Sequence, residues 1–473
     1  MLPTPKNYAI WPAVVEAGKT TRLYIVPTER CHLFAEGMEY DVTVIHAHGD
    51  EASYSNPVCR SKFTVAAGGG ILQFDYLFED EQEHLVIISQ LDNPKNTTRM
   101  SVYSLASDLY ALRPMKGDFH SHSFRSDGKR DPAALAGHMR EQGYDCFALT
   151  DHNRFFPGLE LDEVYEGVNT GICRVVGEEV HAPESTVHVI RLGGKGSVTE
   201  KYVHDLDGYY KEVEEYLARV PEDMPENFKQ RYARTLWATD KIHEEGGIAI
   251  FPHPYWVPAG SQVFNVCDEF AKTLLRSGMF DAYELLGGMT TERCNRSVNM
   301  WNELRAEGVN IPVVGSSDVH AIERCPNFPD HFTVCFTQEA TSEGIKNAIK
   351  SGLSVAVEGS GTEYERQYRC YGSLRLVSYA QFLLREYFRP LQRLSQGIGV
   401  AMRAYAIEEA PKELIETQQS LVDSFMDRFF GRSLPVFPSE KVLRYEEKWR
   451  AEQMNGPKTK GSGILGTTVT MQI

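Results

Sequence analysis

Residues 116–153 read KGDFHSHSFRSDGKRDPAALAGHMREQGYDCFALTDHN. A short apolar stretch ends in two histidines one residue apart, His120 and His122, and a carboxylate, Asp127, follows closely. A helix signal comes next, with Asp131 as N-cap, Pro132 at the first helical position and Gly143 as the C-terminal stop. A second apolar run then ends in the acid–imidazole pair Asp151 and His152. Residues i and i+2 of a strand face the same side, so His120 and His122 can hold one ion together. Imidazoles and carboxylates gathered at strand ends from several parts of a chain are what a hydrolytic metal site requires.

Working outward, the same arrangement recurs. CRVVGEEV ends on Glu178 and Glu179, TVHVI carries His188, IAIFPHP delivers His253, and IPVVGSSDVH delivers Asp318 and His320. Helical patterns such as QRYARTLWATDKIHEEGG and TERCNRSVNMWNELRAEG separate these runs. Strands alternating with helices predict parallel βα units, and in a barrel of such units the C-terminal strand ends converge on one mouth.

The blocks DFHSHSFRSDG, ALTDHN, GEEVHAPESTVHV, FPHP and GSSDVH occur in this order between Met115 and Glu358. In this they resemble the PHP (polymerase and histidinol phosphatase) family of metal-dependent phosphoesterases. A lone HxH would say little, but five ordered blocks are specific. The resemblance implies a distorted seven-stranded (β/α) barrel holding two to three divalent ions, of manganese, iron or zinc. It assigns His120, His122, Glu179 and Asp318 to a first ion. Glu179 as a bridge, with His188 and His253, goes to a second, and Asp127, His152 and His320 to a third. The family pattern Gly-x-Glu, counted from Gly177, selects Glu179 as the bridge. Glu178 and Glu179 point to opposite faces of a strand, so only one can look into the barrel. Asp151 is expected to orient an imidazole from behind a ligand. His181, Arg125 and Arg154 are candidate contacts for phosphate, with Arg293 and Arg296 entering from the loop after YELLGG. The family often carries asparagine where this chain has Gly287.

Three divalent ions against Asp127, Glu179 and Asp318 leave about three positive charges, a local sink for a phosphate dianion. The chain as a whole carries a net charge of −16. A water between two ions becomes hydroxide near neutral pH and can attack phosphorus in line. The expected activity is therefore hydrolysis of small phosphate esters. A metal-dependent amidohydrolase and a non-catalytic metal-stabilised scaffold are the alternatives. No lysine sits at a strand end to bridge two ions as in the former, and a scaffold needs no open coordination position. Isolated histidines beside apolar runs are ordinarily core or surface residues, which sets aside His138, His204, His243 and His331. VIHAHGD repeats the HxH spacing at His46 and His48 but has no partner blocks, and reads as the solvent face of a strand. GGKGS near Lys195 and HDLDG near Asp207 read as turns.

At 473 residues the chain predicts two or three domains. Residues 1–113, with runs such as RLYIVPT, YDVTVIHAHG and HLVIISQ, predict a small β-sandwich that could bind a ligand, cover the barrel mouth or join two copies in a homo-oligomer. Residues 114–358 make the barrel, ending in HFTVCF, a helix near Ser342 to Ser351, and LSVAVEG. Residues 359–473 predict long helices and a flexible tail from Gly456. Nine scattered cysteines form neither a disulfide framework nor a CxxC site, which suits a reducing cytoplasm and leaves the N-x-S/T triplets at Asn96 and Asn295 without glycans. No basic–apolar leader and no membrane-length apolar run is seen, so no membrane partner is expected. The acidic balance argues against nucleic acid as partner.

Overall fold

A computed structural model describes residues 6–47, 60–91, 97–362 and 365–455. Asn96, His48 and the chain from Gly456 onward lie outside the described residues.

The first part forms two sheets. One has the order Tyr8–Trp11, Thr20–Pro27, Leu72–Leu77; the other runs Val14–Glu16, Thr97–Leu105, Gln82–Gln90, Glu39–His46, Arg60–Ala66. Burial alternates along Gln82–Gln90 as a half-buried strand demands. Leu23, Ile25, Leu72 and Phe74 from one sheet share a core with Val42, Val44, Val86 and Val102 from the other. His46 ends its strand with its ring against His84, centroids 4.9 Å apart.

The central sheet departs from the predicted barrel. It has ten strands rather than seven, in the order Val313–Gly315, Ala282–Leu286, Ile248–Phe251, Val189–Leu192, Cys173–Val180, Cys146–Leu149, Arg113–Asp118, His331–Thr337, Ser354–Ser360, Gln367–Tyr371. It nearly closes on itself. Thr333 Oγ1 accepts from Gly315 N (3.0 Å) and donates to Gly315 O (2.8 Å), and Ser354 Oγ donates to Val313 O (2.8 Å). Nor are the strands uniformly parallel. Val189–Leu192 is antiparallel to both its neighbours, and His331–Thr337, Ser354–Ser360 and Gln367–Tyr371 pair antiparallel. Short links such as His181–His188 cannot carry a parallel crossover, so the chain turns back. Met115, Ala148, Val175, Ile190, Ile250 and Val314 fill the interior beneath the mouth.

The helix Pro132–Glu141 begins as expected: the Asp131 carboxylate accepts from Ala133 N and Ala134 N, and Gly143 takes a φ of +75° just past its end. The C-terminal helices start later than predicted, because Gln367–Tyr371 adds a strand first. They are Leu374–Glu386, Phe388–Ala406, Lys412–Phe429 and Glu440–Asn455. The long helical pattern breaks at Tyr387 because Pro390 fits the first turn of a helix and not its middle. Phe388–Ala406 lies on Pro132–Glu141 at Gly137 and Gly399, where a Cβ on Gly399 would come within 2.3 Å of Gly137 O. Tyr379, Phe382, Leu391, Phe425 and Phe429 join one core with Tyr103 and Leu105 of the N-terminal sheet and Phe336 of the barrel. The aromatic periodicity of this region is core. Among the described residues no helix is long and apolar enough to cross a membrane.

Candidate metal centre

Buried hydrogen bonds tie the loops of the mouth to each other. Asp318 N donates to His120 O and His122 N donates to Val319 O, both at 2.9 Å, so the HSH segment and the SSDVH segment run side by side. Asp118 locks the pair from below. It accepts from Ser317 N (3.1 Å), Ser317 Oγ (2.5 Å) and His120 N (3.2 Å). Burial nevertheless pushes its carboxyl up to about 7. Asp318 itself sits at φ +53°, a left-handed conformation uncommon outside glycine and a mark of a position held for its side chain.

Glu179 stands at the middle. Imidazole nitrogens of His188 (2.7 Å), His152 (2.8 Å), His253 (3.2 Å), His120 (3.3 Å), His122 (3.4 Å) and His181 (3.6 Å) surround its two oxygens. Asp318 Oδ1 lies 3.0 Å from His122 Nε2 and 3.2 Å from His120 Nε2. Asp127, half exposed at the rim, faces His320 (3.3 Å), His152 (3.5 Å) and His122 (4.0 Å). His188 reaches this mouth by a route the sequence does not suggest. It precedes its strand rather than following it, and because Val189–Leu192 runs backward, its start lies beside the end of Cys173–Val180.

The electrostatics are set by burial acting against the mutual pull of carboxylates and imidazoles. Burial opposes charge on Glu179, yet His120 and His188 hold it well below the usual carboxylate range, and Asp318 is lowered in the same way. Burial takes His122 and His188 down to about 4, so both are neutral and able to ligate at pH 7. For His152 burial is outweighed by Asp127 and Glu179, which raise it to about 10. Several buried donor atoms at the centre make no hydrogen bond: His120 Nε2, both ring nitrogens of His122, His152 Nδ1, His181 Nε2, Glu179 Oε2 and Asp318 Oδ1. Buried polar atoms are ordinarily satisfied. Orphans converging on one point, all of them nitrogen or carboxylate oxygen, fit borderline and hard divalent ions. Ligand-type atoms fall into overlapping groups: His122, Asp127, His152 and His320; His120, His122 and Asp318; His120, Glu179 and His253; and His152, Glu179 and His181.

Every residue proposed as a ligand is thus brought to this mouth, and His181 joins them, its ring centroid 3.5 Å from that of His188. The second-row expectations fare differently. Asp151 orients no imidazole. Its carboxylate accepts from Ser123 N (2.8 Å), Ser123 Oγ (2.7 Å) and Ser126 Oγ (2.6 Å), bracing the loop that carries Asp127. Arg125 is committed elsewhere, in a bidentate pair with Glu160 at 2.6 and 2.8 Å. Arg154 is exposed two residues past His152. Arg296 pairs with Asp268 and lies over Tyr255, and with Arg293 it lines a cleft of about 440 Å³ between the helices Asp268–Arg276 and Thr291–Ala306. Glu178 faces the helix layer, paired with Arg191 (3.1 Å). His138, His204, His243 and His331 join none of the ligand-type groups found among the described residues; His243 pairs with Asp281 and His331 Nδ1 faces Gly287 O. Glu284 escaped the sequence reading. It is buried within Ala282–Leu286 with Oε2 2.8 Å from His120 Nδ1, and its only signal in the sequence was a carboxylate inside an apolar strand.

No family model matches the chain, and no curated protein does. Solved structures resemble parts of it. A two-domain protein from Bacteroides vulgatus, described as containing a predicted PHP-like metal-dependent phosphoesterase, is 18% identical over 52% of this chain and 65% of that one, with a TM-score of 0.38. A putative metal-dependent phosphoesterase from Bifidobacterium adolescentis is 18% identical over 43% and 87%, TM-score 0.32. An amidohydrolase from Chromobacterium violaceum is 17% identical over 44% and 89%, TM-score 0.30. Overlaps of this size carry no argument about chemistry, which rests on the side chains.

Proposed function

We propose that this protein is a metal-dependent hydrolase of small phosphate esters. The observation that carries the reading is the buried carboxylate of Glu179 ringed by six imidazoles, with unpartnered ligand atoms on both sides of it. Glu179 would bridge two ions. His120, His122 and Asp318 would complete one, His188 and His253 the other, and Asp127, His152 and His320 a third. Bound divalent ions would supply an acidified water and the positive charge that a phosphoryl group needs as it is transferred. The chain's own residues do the rest. The backbone bonds between the HSH and SSDVH segments hold the ligand set rigid. Asp151 fixes the loop of Asp127. His181, its ring against that of His188, would serve the leaving oxygen, and Arg154, exposed past His152, would turn toward a phosphate oxygen.

A compact monoester suits a local positive centre in a chain of net charge −16 better than a polyanion does. A lysine-bridged amidohydrolase is not supported by this mouth. Lys116, on the strand that leads into it, packs between Tyr144 and Phe332 and donates to Gln142 O (3.0 Å). The deciding experiment strips the protein with a chelator and restores manganese, ferrous iron or zinc singly. Each form is then assayed on phosphomonoesters, phosphodiesters, amides and single-stranded nucleic acids. Metal-restored turnover of monoesters is expected. Cleavage of nucleic acid or amides with no turnover of small phosphate esters would overturn the reading.

A further inference from the structure

The His120 ring is fully buried and its two nitrogens face different partners. Nε2 points at Asp318 Oδ1 (3.2 Å) and Glu179 Oε2 (3.3 Å), whereas Nδ1 lies 2.8 Å from Glu284 Oε2. Glu284 comes from a different strand, Ala282–Leu286, which is 164 residues further along the chain. We propose that Glu284 is a positioning residue of the metal centre, holding the His120 imidazole from behind so that Nε2 is presented to the cluster. This rests on the reading that the cluster binds divalent ions.

A neutral imidazole carries one N–H and one lone pair. A carboxylate can only accept, so the N–H of His120 belongs on Nδ1 and the lone pair on Nε2, the atom that faces Glu179 and Asp318. The backbone around Glu284 is built to accommodate it. Gly287 has no side chain where a Cβ would fall 2.1 Å from Glu284 Oε1, and Gly288 none where a Cβ would fall 2.0 Å from Asp318 Oδ2. Asn327 Nδ2 donates to Gly287 O (3.0 Å) and Met289 O (3.2 Å), which pins the turn that leaves this room. Glu284 Oε1 is buried and makes no hydrogen bond among the described residues, so the contact of Oε2 with His120 is what accounts for a carboxylate at this depth. It also adds a further negative charge beside the cluster, which strengthens its hold on cations.

The test is direct metal affinity, read by competition with a chromophoric chelator using manganese or zinc, on Glu284→Ala, Glu284→Gln and Gly287→Ala. Glu284→Ala should weaken at least one ion about 10- to 100-fold while the others bind as in the parent. Glu284→Gln should lose less, since its amide oxygen still accepts from Nδ1. Gly287→Ala displaces the carboxylate without removing it and should reproduce the loss. A purely structural role would lower the melting temperature of the metal-free protein in all three variants and leave the affinity of the folded protein intact. Parent-like affinity in Glu284→Ala, or in Glu284→Gln and Gly287→Ala should the alanine variant fail to fold, overturns the proposal. If the parent binds no ion at all, the metal reading fails and this one with it.

Discussion

The strand Cys173–Val180 places two buried carboxylates back to back, and its two faces are different chemical worlds. On the outer face Glu178 meets four donors: Val198 N (2.7 Å), Thr199 Oγ1 (2.7 Å), Ser197 Oγ (2.9 Å) and Arg191 Nη1 (3.1 Å), the last directly across the strand pair. On the inner face Glu179 meets imidazoles from four other segments, those of His120, His152, His188 and His253, and keeps one oxygen without a hydrogen bond among the described residues. Both acids are fully buried. Burial therefore says nothing about which is functional. The distinction lies in whether the protein itself completes the shell: Glu178 is answered by a fixed guanidinium, two hydroxyls and a backbone N–H, Glu179 by imidazoles that are themselves of ligand type.

Neutralising each acid in turn is the sharpest way to break this contrast. Glu179→Gln should cost roughly a thousandfold or more in turnover, with loss of at least one bound ion, because a bridging position needs two charged oxygens. Kinetics with elemental analysis of the purified variant decide it. Glu178→Gln should leave turnover per folded molecule nearly unchanged. It should instead lower unfolding free energy by about 3 kcal/mol, since Arg191 is left as an uncompensated buried charge. Denaturant titration measures that. If Glu178→Gln is the metal-depleted variant and Glu179→Gln stays active, the assignment of faces is reversed.

Removing metal sharpens the same contrast on the stability side. Each ion present at a hundred times its dissociation constant adds about 2.7 kcal/mol. Chelation should lower the melting temperature of the parent and of Glu178→Gln by similar amounts, and that of Glu179→Gln by less. Equal shifts in all three would mean that the inner face holds no ion. The smallest effect is expected at the N-terminal HxH. Replacing both His46 and His48 by alanine should leave metal content and turnover as in the parent, because His46 ends a strand of the N-terminal sheet with its ring on His84 and joins none of the ligand-type groups among the described residues. Loss of an ion in that variant would show that the spacing alone carries function.

How much of this was legible beforehand depends on whether the signal was local. HxH at His120 and His122, the acid–imidazole pair at residues 151–152 and the two acids after Gly177 each lie within a few residues, so strand periodicity was enough to expect them at a mouth and to set Glu178 and Glu179 on opposite faces, while the choice of Glu179 came from the Gly-x-Glu pattern of the family the blocks resemble. The cap at Asp131 and the stop at Gly143 are local too, and the structure shows both. Strand direction is not local. TVHVI reads the same whether its strand runs up or down, and the antiparallel course of Val189–Leu192 emerges only from its pairing with both neighbours.

Residue chemistry in order along the chain thus determined the candidate ligand types, the fact of a mixed α/β barrel-like body and the β-rich and helical regions on either side of it. Tertiary structure decided what each charged group does once its neighbours are in place. Arg125, read as a phosphate contact, is drawn to Glu160; Asp151, read as an imidazole's support, braces a serine loop; and Glu284, passed over within an apolar strand, meets His120 from 164 residues away. A side chain's identity limits what it can donate or accept, and that is written in the sequence. Which partner completes it is set by distances of about 3 Å across the fold, and those exist only after the chain has closed.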